Sequence, residues 1–509
     1  MWQATRRLIL AASGLAVSVL ACGSDPSADV VAQSVAAVAA SPAASTHSFL
    51  ISFTGGGIPA NADSLVASAG GAIAARYGNA GAVLARSTNP AFATTLRGLT
   101  GIDAVGDVAS VQSRLAPPTG RSGHRPSGNP PCKNGDPLSS RQWDMDQIHA
   151  PQARAITTGK KTVRVGLFDS GIDVTHPDLI GQVDGNASAT CIGGVADPTP
   201  ANWQNDFFGH GTHVAGTIAA LQNGIGIVGV APGVKLSVVK ILDDNGMILP
   251  DAMLCGLDWA MGHGWDLINA SLTVDPPTGP DDSIFCSDQP DRAAIVAILR
   301  KAFLAAANQN ISVIAAAGNF FLDLAALEGS TPGSTCKVLP VQLPHVIGVS
   351  AVGYTRQLSS YSDYGLSAID LTGPGGDYLI PDPAVGTGIE TGQVLSSAPA
   401  GSYFYQLAAG WNGQVQDCSG KTCATYMYLQ GTSQAAPHVT GVAALIESRY
   451  GRLPPDLLLA KLSLSATPLA CPQGPYDPGA TGQPATCVGP PFYNSFYGAG
   501  EVDALAAVR

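Results

Sequence analysis

The sequence predicts an α/β fold of three layers, a mostly parallel central sheet with helices on both faces, preceded by a small α/β domain. Two observations carry this reading. Apolar runs at 163–168, 235–241, 265–271, 311–317 and 345–351 alternate with helical stretches near 211–221, 250–262, 291–309 and 433–449. Strands without a polar face are those buried on both sides of a parallel sheet. A separate strand-and-helix text occupies 46–113, ahead of a Pro- and Gly-rich stretch at 114–131 that reads as a linker open to proteolysis.

Composition sets the outer limits. With 509 residues and 45% hydrophobic content the chain can bury a sizeable core. Only 12% of residues are charged, against about 25% in ordinary domains. The 60 glycines and 37 prolines predict many loops. A net charge of −11 and a pI near 5.1 argue against nucleic acid or an acidic membrane surface as partner. No internal repeat is visible.

From the amino end, residues 1–21 carry Arg6 and Arg7 and then an apolar run over 8–21. That run is too short to span a bilayer and fits a secretory signal. Val19-Leu20-Ala21-Cys22 resembles the processing site of bacterial lipoproteins and implies a lipid anchor at Cys22, with ordinary cleavage nearby as the alternative. Either route exports the chain. Residues 22–45 read as a flexible tether. Within 46–113, strands are expected at 48–53, 83–85 and 105–111 and a helix at 62–69; the main domain then runs over 132–509.

Three stretches of that domain carry chemistry. In Gly431-Thr432-Ser433-Gln434-Ala435-Ala436-Pro437-His438, an apolar strand at 426–429 turns sharply into a helix of small residues. Free N–H groups and the positive end of the helix dipole then face the Ser433 hydroxyl. Taken alone, Thr432 or Ser433 would read as a helix cap. The run 163–168 delivers Asp169 at its carboxyl end, where open parallel sheets place ligand groups. Gly209-His210-Gly211-Thr212-His213 opens another small-residue helix. A nucleophilic serine needs a base to take its proton and a carboxylate to orient that base. Asp169, His210 and Ser433 are one such set, in the chain order Asp, His, Ser.

These three stretches, in this order, resemble the signature segments of subtilisin-like (subtilase) serine peptidases. The resemblance implies a subtilisin-like fold and a secreted serine endopeptidase acting through an acyl-enzyme on protein or peptide substrates. Ile311 to Asn319 resembles the family strand that ends in the oxyanion-hole asparagine, so Asn319 and the Ser433 N–H are expected to donate to the oxyanion. The unit 46–113 resembles the family's inhibitory propeptide, a partner within the same chain, and a self-processing monomer is expected. Asp136-Pro137, Arg141-Gln142-Trp143 and the turn at 497–504 resemble the domain's first and last segments.

The segment Leu267 to Leu272 resembles the strand that pairs with the substrate backbone, which makes Ser271, Leu272 and Thr273 substrate-binding residues. Ala316, Ala317 and Gly318 would line an uncharged first pocket. Thr273 and Val274 stand where the family has two glycines, and Gln434 where a methionine is common. Leu221 to Ile227 resembles the family's calcium loop, implying an oxygen cage from the carbonyls of Leu221, Ile225 and Ile227, the Asn223 amide, Asp178 and Asp136. The alternative is a surface turn without metal. His210 and His213 at i, i+3 suit zinc less well than they suit the catalytic set, and His176 and His438 read as packing residues.

Extra loops are expected around 184–206, 275–290, 320–340, 400–425 and 470–492, each with cysteine. Setting Cys22 aside, nine of the ten cysteines remain, so one is expected free, and Cys255 on its helix is the candidate. Nearness suggests pairing Cys418 with Cys423 and Cys471 with Cys487. Two other functions use the same residues: a catalytically silent exported binding protein, and an esterase or acyltransferase.

Overall fold

The computed structural model describes residues 45–111, 113–115, 117–118, 135–273, 289–327, 337–366, 368–379, 392–419, 422–480 and 482–509. The expected signal, Cys22 and most of the tether, together with Val274, Cys132, Cys286 and Cys336, lie outside the described residues.

The amino-terminal unit is an antiparallel sheet of β1 (His47–Phe53), β2 (Gly71–Tyr77), β3 (Ala82–Ser87) and β4 (Ile102–Asp107), in the order β2-β3-β1-β4. Successive side chains of a strand point to opposite faces, and β1 buries both. Phe49, Ile51 and Phe53 pack with Val66 and Leu96 of the helices Ala62–Ser68 and Phe92–Arg97, while Leu50 joins the core of the larger domain. The sequence reading missed β2 and the second helix. Gly71-Ala72-Ile73-Ala74-Ala75 has weak strand propensity, and its pairing with β3 holds it extended.

This unit docks through its loops and open sheet face. Asp258 accepts from the Asn79 and Ala80 N–H groups at 2.7 and 3.2 Å, and Asp291 accepts from the Asp107 N–H at 2.9 Å and from Arg97 at 2.6 Å. Both acids stand on helices of the main domain, Pro250–Gly262 and Pro290–Asn308. Each of those helices opens on proline, whose missing N–H costs nothing at a first helical position. Beyond the unit, β5 (Ser113–Arg114) pairs with a strand of the main domain.

The main domain is built on β6 (Arg164–Asp169), β7 (Ala189–Thr190), β8 (Lys235–Lys240), β9 (Met247–Ile248), β10 (Leu267–Ala270), β11 (Ser312–Ala316), β12 (Val346–Val352) and β13 (Leu371–Pro374). Seven of these form the central sheet in the order β13-β12-β11-β10-β6-β8-β7, and every neighbouring pair is parallel. One face packs against the helices His210–Ala219, Thr432–Tyr450 and Ala504–Val508, the other against Pro250–Gly262 and Pro290–Asn308. Gly166, in the middle of β6, makes room for an indole: a Cβ there would lie 1.7 Å from Trp265.

A three-stranded antiparallel sheet completes the domain: β14 (Val394–Ser397), β15 (Gln414–Ser419) and β16 (Thr422–Leu429). The strand expected at 426–429 is the end of β16, which leads through Gly431 into the helix Thr432–Tyr450. The disulfides Cys418–Cys423 and Cys471–Cys487 form as nearness suggested. Cys255 is a correction. It is not free but bonded to Cys191, with Cα atoms 5.8 Å apart. A place on a helix does not bar a bridge, since only Cα spacing and side-chain direction matter.

Candidate active site

Asp169 ends β6 and His210 opens its helix, so both lie at the carboxyl edge of the parallel sheet. Close approach of the two segments needs a residue without Cβ: at Gly211 one would lie 2.1 Å from the Gly171 carbonyl oxygen. The His210 imidazole meets Asp169 through Nδ1···Oδ1 at 2.8 Å, with side chains 5% and 1% exposed. That contact sets the tautomer, with the proton on Nδ1 and Nε2 left as acceptor. Asp169 Oδ1 also accepts from the Ser170 N–H at 2.7 Å, whereas Oδ2 is buried without a hydrogen-bond partner.

A second buried acid, not anticipated from the sequence, stands behind this pair. Asp206 accepts from Ser170 Oγ at 2.7 Å, Gly209 N–H at 2.9 Å, Thr212 N–H at 2.8 Å and Thr212 Oγ at 2.6 Å. It thereby caps the His210 helix and grips the residue after Asp169. An acid just ahead of a helix start was the available signal. Burial alone would lower the His210 pKa, but the charge and hydrogen bond of Asp169, with the Asp206 charge behind, hold it above the ordinary value.

Ser433 lies in the first turn of Thr432–Tyr450, 7% exposed. Neither Thr432 nor Ser433 caps that helix; the cap position is Gly431 and no side chain bonds there. The Ser433 hydroxyl donates to the Ser271 carbonyl at 3.0 Å, and Ser271 Oγ donates to the Ser433 carbonyl at 2.8 Å. Asn269 Nδ2 donates to Ser271 Oγ at 2.8 Å, and Thr440 Oγ donates to Asn269 Oδ1 at 2.8 Å. A buried chain of hydrogen bonds therefore ties the serine turn to β10. Asn319 is exposed, and its Oδ1 accepts from the Thr432 N–H at 2.9 Å and Thr432 Oγ at 3.0 Å. With the carbonyl end so held, the amide NH₂ is the end left to donate.

Of the expected substrate-binding residues, Ser271, Leu272, Ala316, Ala317 and Gly318 are buried at the ends of β10 and β11, and Thr273 is half-buried. Ser113 Oγ donates to the Thr273 carbonyl at 3.3 Å, Ser113 and Arg114 pair antiparallel with Ile248 and Met247, and the Leu115 N–H donates to the Gly246 carbonyl at 2.8 Å. The chain at 113–115 thus lies as an extended strand between two segments of the main domain.

At the expected calcium loop, Asp178 is buried, and its Oδ1 has no hydrogen-bond partner. Burial pushes its carboxyl up to about 7. A buried carboxylate oxygen without a donor suits a hard cation. Asp136 has another task as well, accepting from the Asn223 and Gly224 N–H groups at 2.8 and 2.9 Å, and Asn223 Oδ1 accepts from the Ile225 N–H at 3.1 Å. Among the described residues no group of three or more His, Cys, Asp or Glu side chains is placed to hold a metal. His210 and His213 diverge: His213 Nε2 meets the Met427 carbonyl at 3.2 Å, and burial drives its pKa down to about 3. His438 Nε2 meets Asp144 at 2.9 Å, both fully buried, and His176 Nε2 meets the Thr425 carbonyl at 2.9 Å, which makes both structural.

A parallel α/β sheet with a buried acid–histidine pair at its carboxyl edge, and a helix-start serine whose hydroxyl bonds the residue that follows β10, defines the class. The Subtilase family profile, Peptidase_S8, matches residues 160–500, and the chain belongs to that family. It is 33% identical over 308 residues to subtilisin E of Bacillus subtilis (strain 168), covering 60% of this chain and 61% of that protein. Identity to a subtilisin of Bacillus pumilus is also 33% over 308 residues, covering 60% and 85%. The fold resembles that of fervidolysin from Fervidobacterium pennivorans, a keratinolytic enzyme related to subtilisin (TM-score 0.63, 23% identity, 91% of this chain and 61% of that one). It also resembles the epidermin leader peptide processing serine protease EpiP of Staphylococcus aureus (TM-score 0.64, 20% identity, 91% and 98%). The chain spans only 61% of the length of the first curated subtilisins it matches.

Proposed function

We propose that the chain is an exported serine endopeptidase with Asp169, His210 and Ser433 as its catalytic residues and Asn319 in its oxyanion hole, made as a precursor that processes itself. The observation that carries this reading is the buried 2.8 Å contact of His210 with Asp169 at the sheet edge that also bears Ser433. In the reaction, Ser433 Oγ adds to the substrate carbonyl carbon as its proton passes to His210 Nε2. Asp169 holds Nδ1 and stabilises the imidazolium. Asn319 Nδ2 and the Ser433 N–H donate to the oxyanion. Collapse breaks the C–N bond while His210 returns the proton to the leaving amine, and water then releases the acyl group by the same steps. The substrate backbone would bond along Ser271, Leu272 and Thr273.

The proposed organisation is a signal over 1–21, a tether over 22–45, an inhibitory propeptide over 46–113, a maturation region over 114–131 and a peptidase domain over 132–509. The strand at 113–115, already paired with Met247 and Ile248 on the approach to Ser433, supports the inhibitory role. Calcium would be held by Asp178, Asn223 and the carbonyls of Leu221, Ile225 and Ile227, with Asp136 beside them, and would supply the positive charge the buried carboxylate lacks. Protein and peptide are the proposed substrates, and a monomer the working form.

Casein hydrolysis, with and without a serine-directed sulfonyl fluoride, tests this reading. The wild-type chain should lose activity to the reagent, and Ser433→Ala should be inactive. Reagent-resistant or Ser433-independent hydrolysis would overturn the assignment. Turnover of activated esters without peptide cleavage would favour the esterase reading, and neither activity would favour the silent binding protein.

A further inference from the structure

We propose that Asp363 is a positioning residue for the oxyanion hole: it holds the peptide on both sides of Asn319, and through Asn319 it sets where one of the two oxyanion donors stands. The inference deepens the endopeptidase reading and rests on its assignment of Asn319.

Asn319 and Phe320 are exposed, in a turn that leaves β11. Asp363 lies beside that turn, fully buried, in the connection between β12 and β13. Its N–H donates to the Gly318 carbonyl at 3.0 Å, and its Oδ1 accepts from the Phe320 and Leu322 N–H groups, both at 2.9 Å. The residues before and after Asn319 are thus bonded to one amino acid. Hydrogen bonds to a carboxylate are stronger than those between neutral groups.

The turn needs such a hold. Phe321 has a φ of 57°, a left-handed conformation that bulky side chains rarely adopt. Backbone of this kind persists only where its surroundings over-determine it, and it clusters at functional sites. The Phe321 N–H donates to the Tyr361 carbonyl at 2.8 Å, and its ring packs on Tyr364 and Tyr476 with centroids 5.5 and 6.4 Å apart. Pairing continues outward: the Tyr364 N–H donates to the Leu322 carbonyl at 2.9 Å, and the Leu324 N–H to the Tyr364 carbonyl at 2.7 Å. Asp363 is the member of this short ladder that bonds the peptide groups flanking Asn319.

The same segment is fixed to the serine turn. The Tyr361 hydroxyl donates to the Gly375 and Gly376 carbonyls at 2.9 and 2.6 Å, and the Gly375 carbonyl also accepts from the Gly431 N–H at 3.0 Å, two residues before Ser433. The approach is close, since a Cβ on Gly375 would lie 2.7 Å from the Gly431 carbonyl oxygen and 2.9 Å from the Tyr361 hydroxyl. Segment 361–363 therefore touches both sides of the hole, the Ser433 turn through Tyr361 and the Asn319 turn through Asp363.

Losing one oxyanion donor costs about 10²–10³ in kcat, and a displacement of about 1 Å can cost about 10². Asp363→Ala is therefore expected to lower kcat at least about tenfold and to leave KM within about twofold, because the oxyanion forms only after substrate has bound. Asp363→Asn keeps an oxygen able to accept both N–H groups and is expected to recover most of that loss. In the Asn319→Ala background no amide remains to be positioned, so adding Asp363→Ala should cost less than about twofold in kcat. Peptide hydrolysis by wild type and these variants measures all three effects. Rates are divided by the active sites that a sulfonyl fluoride titrates, so partial misfolding lowers the count and not kcat. Should Asp363→Ala give no folded chain, Asp363→Ser, too short to span both N–H groups, takes its place. An unchanged kcat, a loss confined to KM, or losses from Asp363→Ala and Asn319→Ala that simply multiply would overturn the positioning role while leaving the oxyanion hole assigned. If Asn319→Ala itself leaves kcat unchanged, the assignment of Asn319 falls, and the positioning role with it.

Discussion

Among single residues, Asp206 has the clearest consequence for activity. Burial raises the Asp206 carboxyl above its usual range, and the four hydrogen bonds it accepts within the Asp169–His210 framework oppose that rise. In the proposed mechanism His210 must be neutral to take the serine proton, and its pKa is held above the ordinary 6.5 despite burial. Activity should therefore fall as pH drops through a value higher than that of a free histidine. The matching stability contribution runs the other way, present below the unfolded pKa and lost as pH rises through the folded one. Because the Asp206 charge is among the causes of the upward shift, Asp206→Asn should move the acid limb of kcat/KM to lower pH. Full pH profiles of both proteins decide it; an unmoved or raised limb would show that Asp206 acts only as a helix cap.

At the scale of an element, the 221–227 loop and Asp178 form a unit whose stability should depend on a cation. Burial raises the Asp178 pKa to about 7. For a carboxyl shifted upward on folding, stability is lost as pH rises from the unfolded pKa towards the folded one, and the loss persists above it. A cation bound only to the folded, ionised site offsets that loss by mass action. At about pH 8, where this carboxyl is ionised, wild type should therefore melt higher with excess calcium than with chelator. Asp178→Asn should melt at or above wild type in chelator and gain little from calcium. Equal calcium responses in the two proteins, measured as Tm, would remove Asp178 from the site.

For the whole molecule, the proposed organisation would couple maturation to release. If Cys22 carries a lipid, the anchor lies on the amino side of the 114–131 region, and every proposed catalytic residue lies beyond it. A cut there separates anchor from enzyme. Cells should hold a membrane-associated precursor and shed a soluble form beginning between about 116 and 132, and Ser433→Ala should keep the precursor on the membrane. Fractionation followed by amino-terminal sequencing of the soluble product reads both halves. A mutant processed and shed like wild type would show that another peptidase makes the cut, and an uncut soluble precursor that Cys22 is no anchor.

Local text determined a great deal of this protein. Apolar runs at 163–168, 235–241 and 311–317 anticipated Arg164–Asp169, Lys235–Lys240 and Ser312–Ala316 within a residue or so, because strands buried on both faces leave no polar alternation to misread. The places of Asp169 at a strand end and of His210 and Ser433 at helix starts were legible because each lies inside a continuous motif. What only the tertiary structure decided depends on contacts between distant segments. Cys255 bonds Cys191 across 64 residues, Phe404 reaches Phe208 from another loop, and Leu115 is seated by Gly246. Propensity and periodicity act over a few neighbours, whereas these partners meet only once the sheet has set the spacing of its loops. The same holds for β2, an alanine-rich segment that becomes a strand because β3 lies beside it.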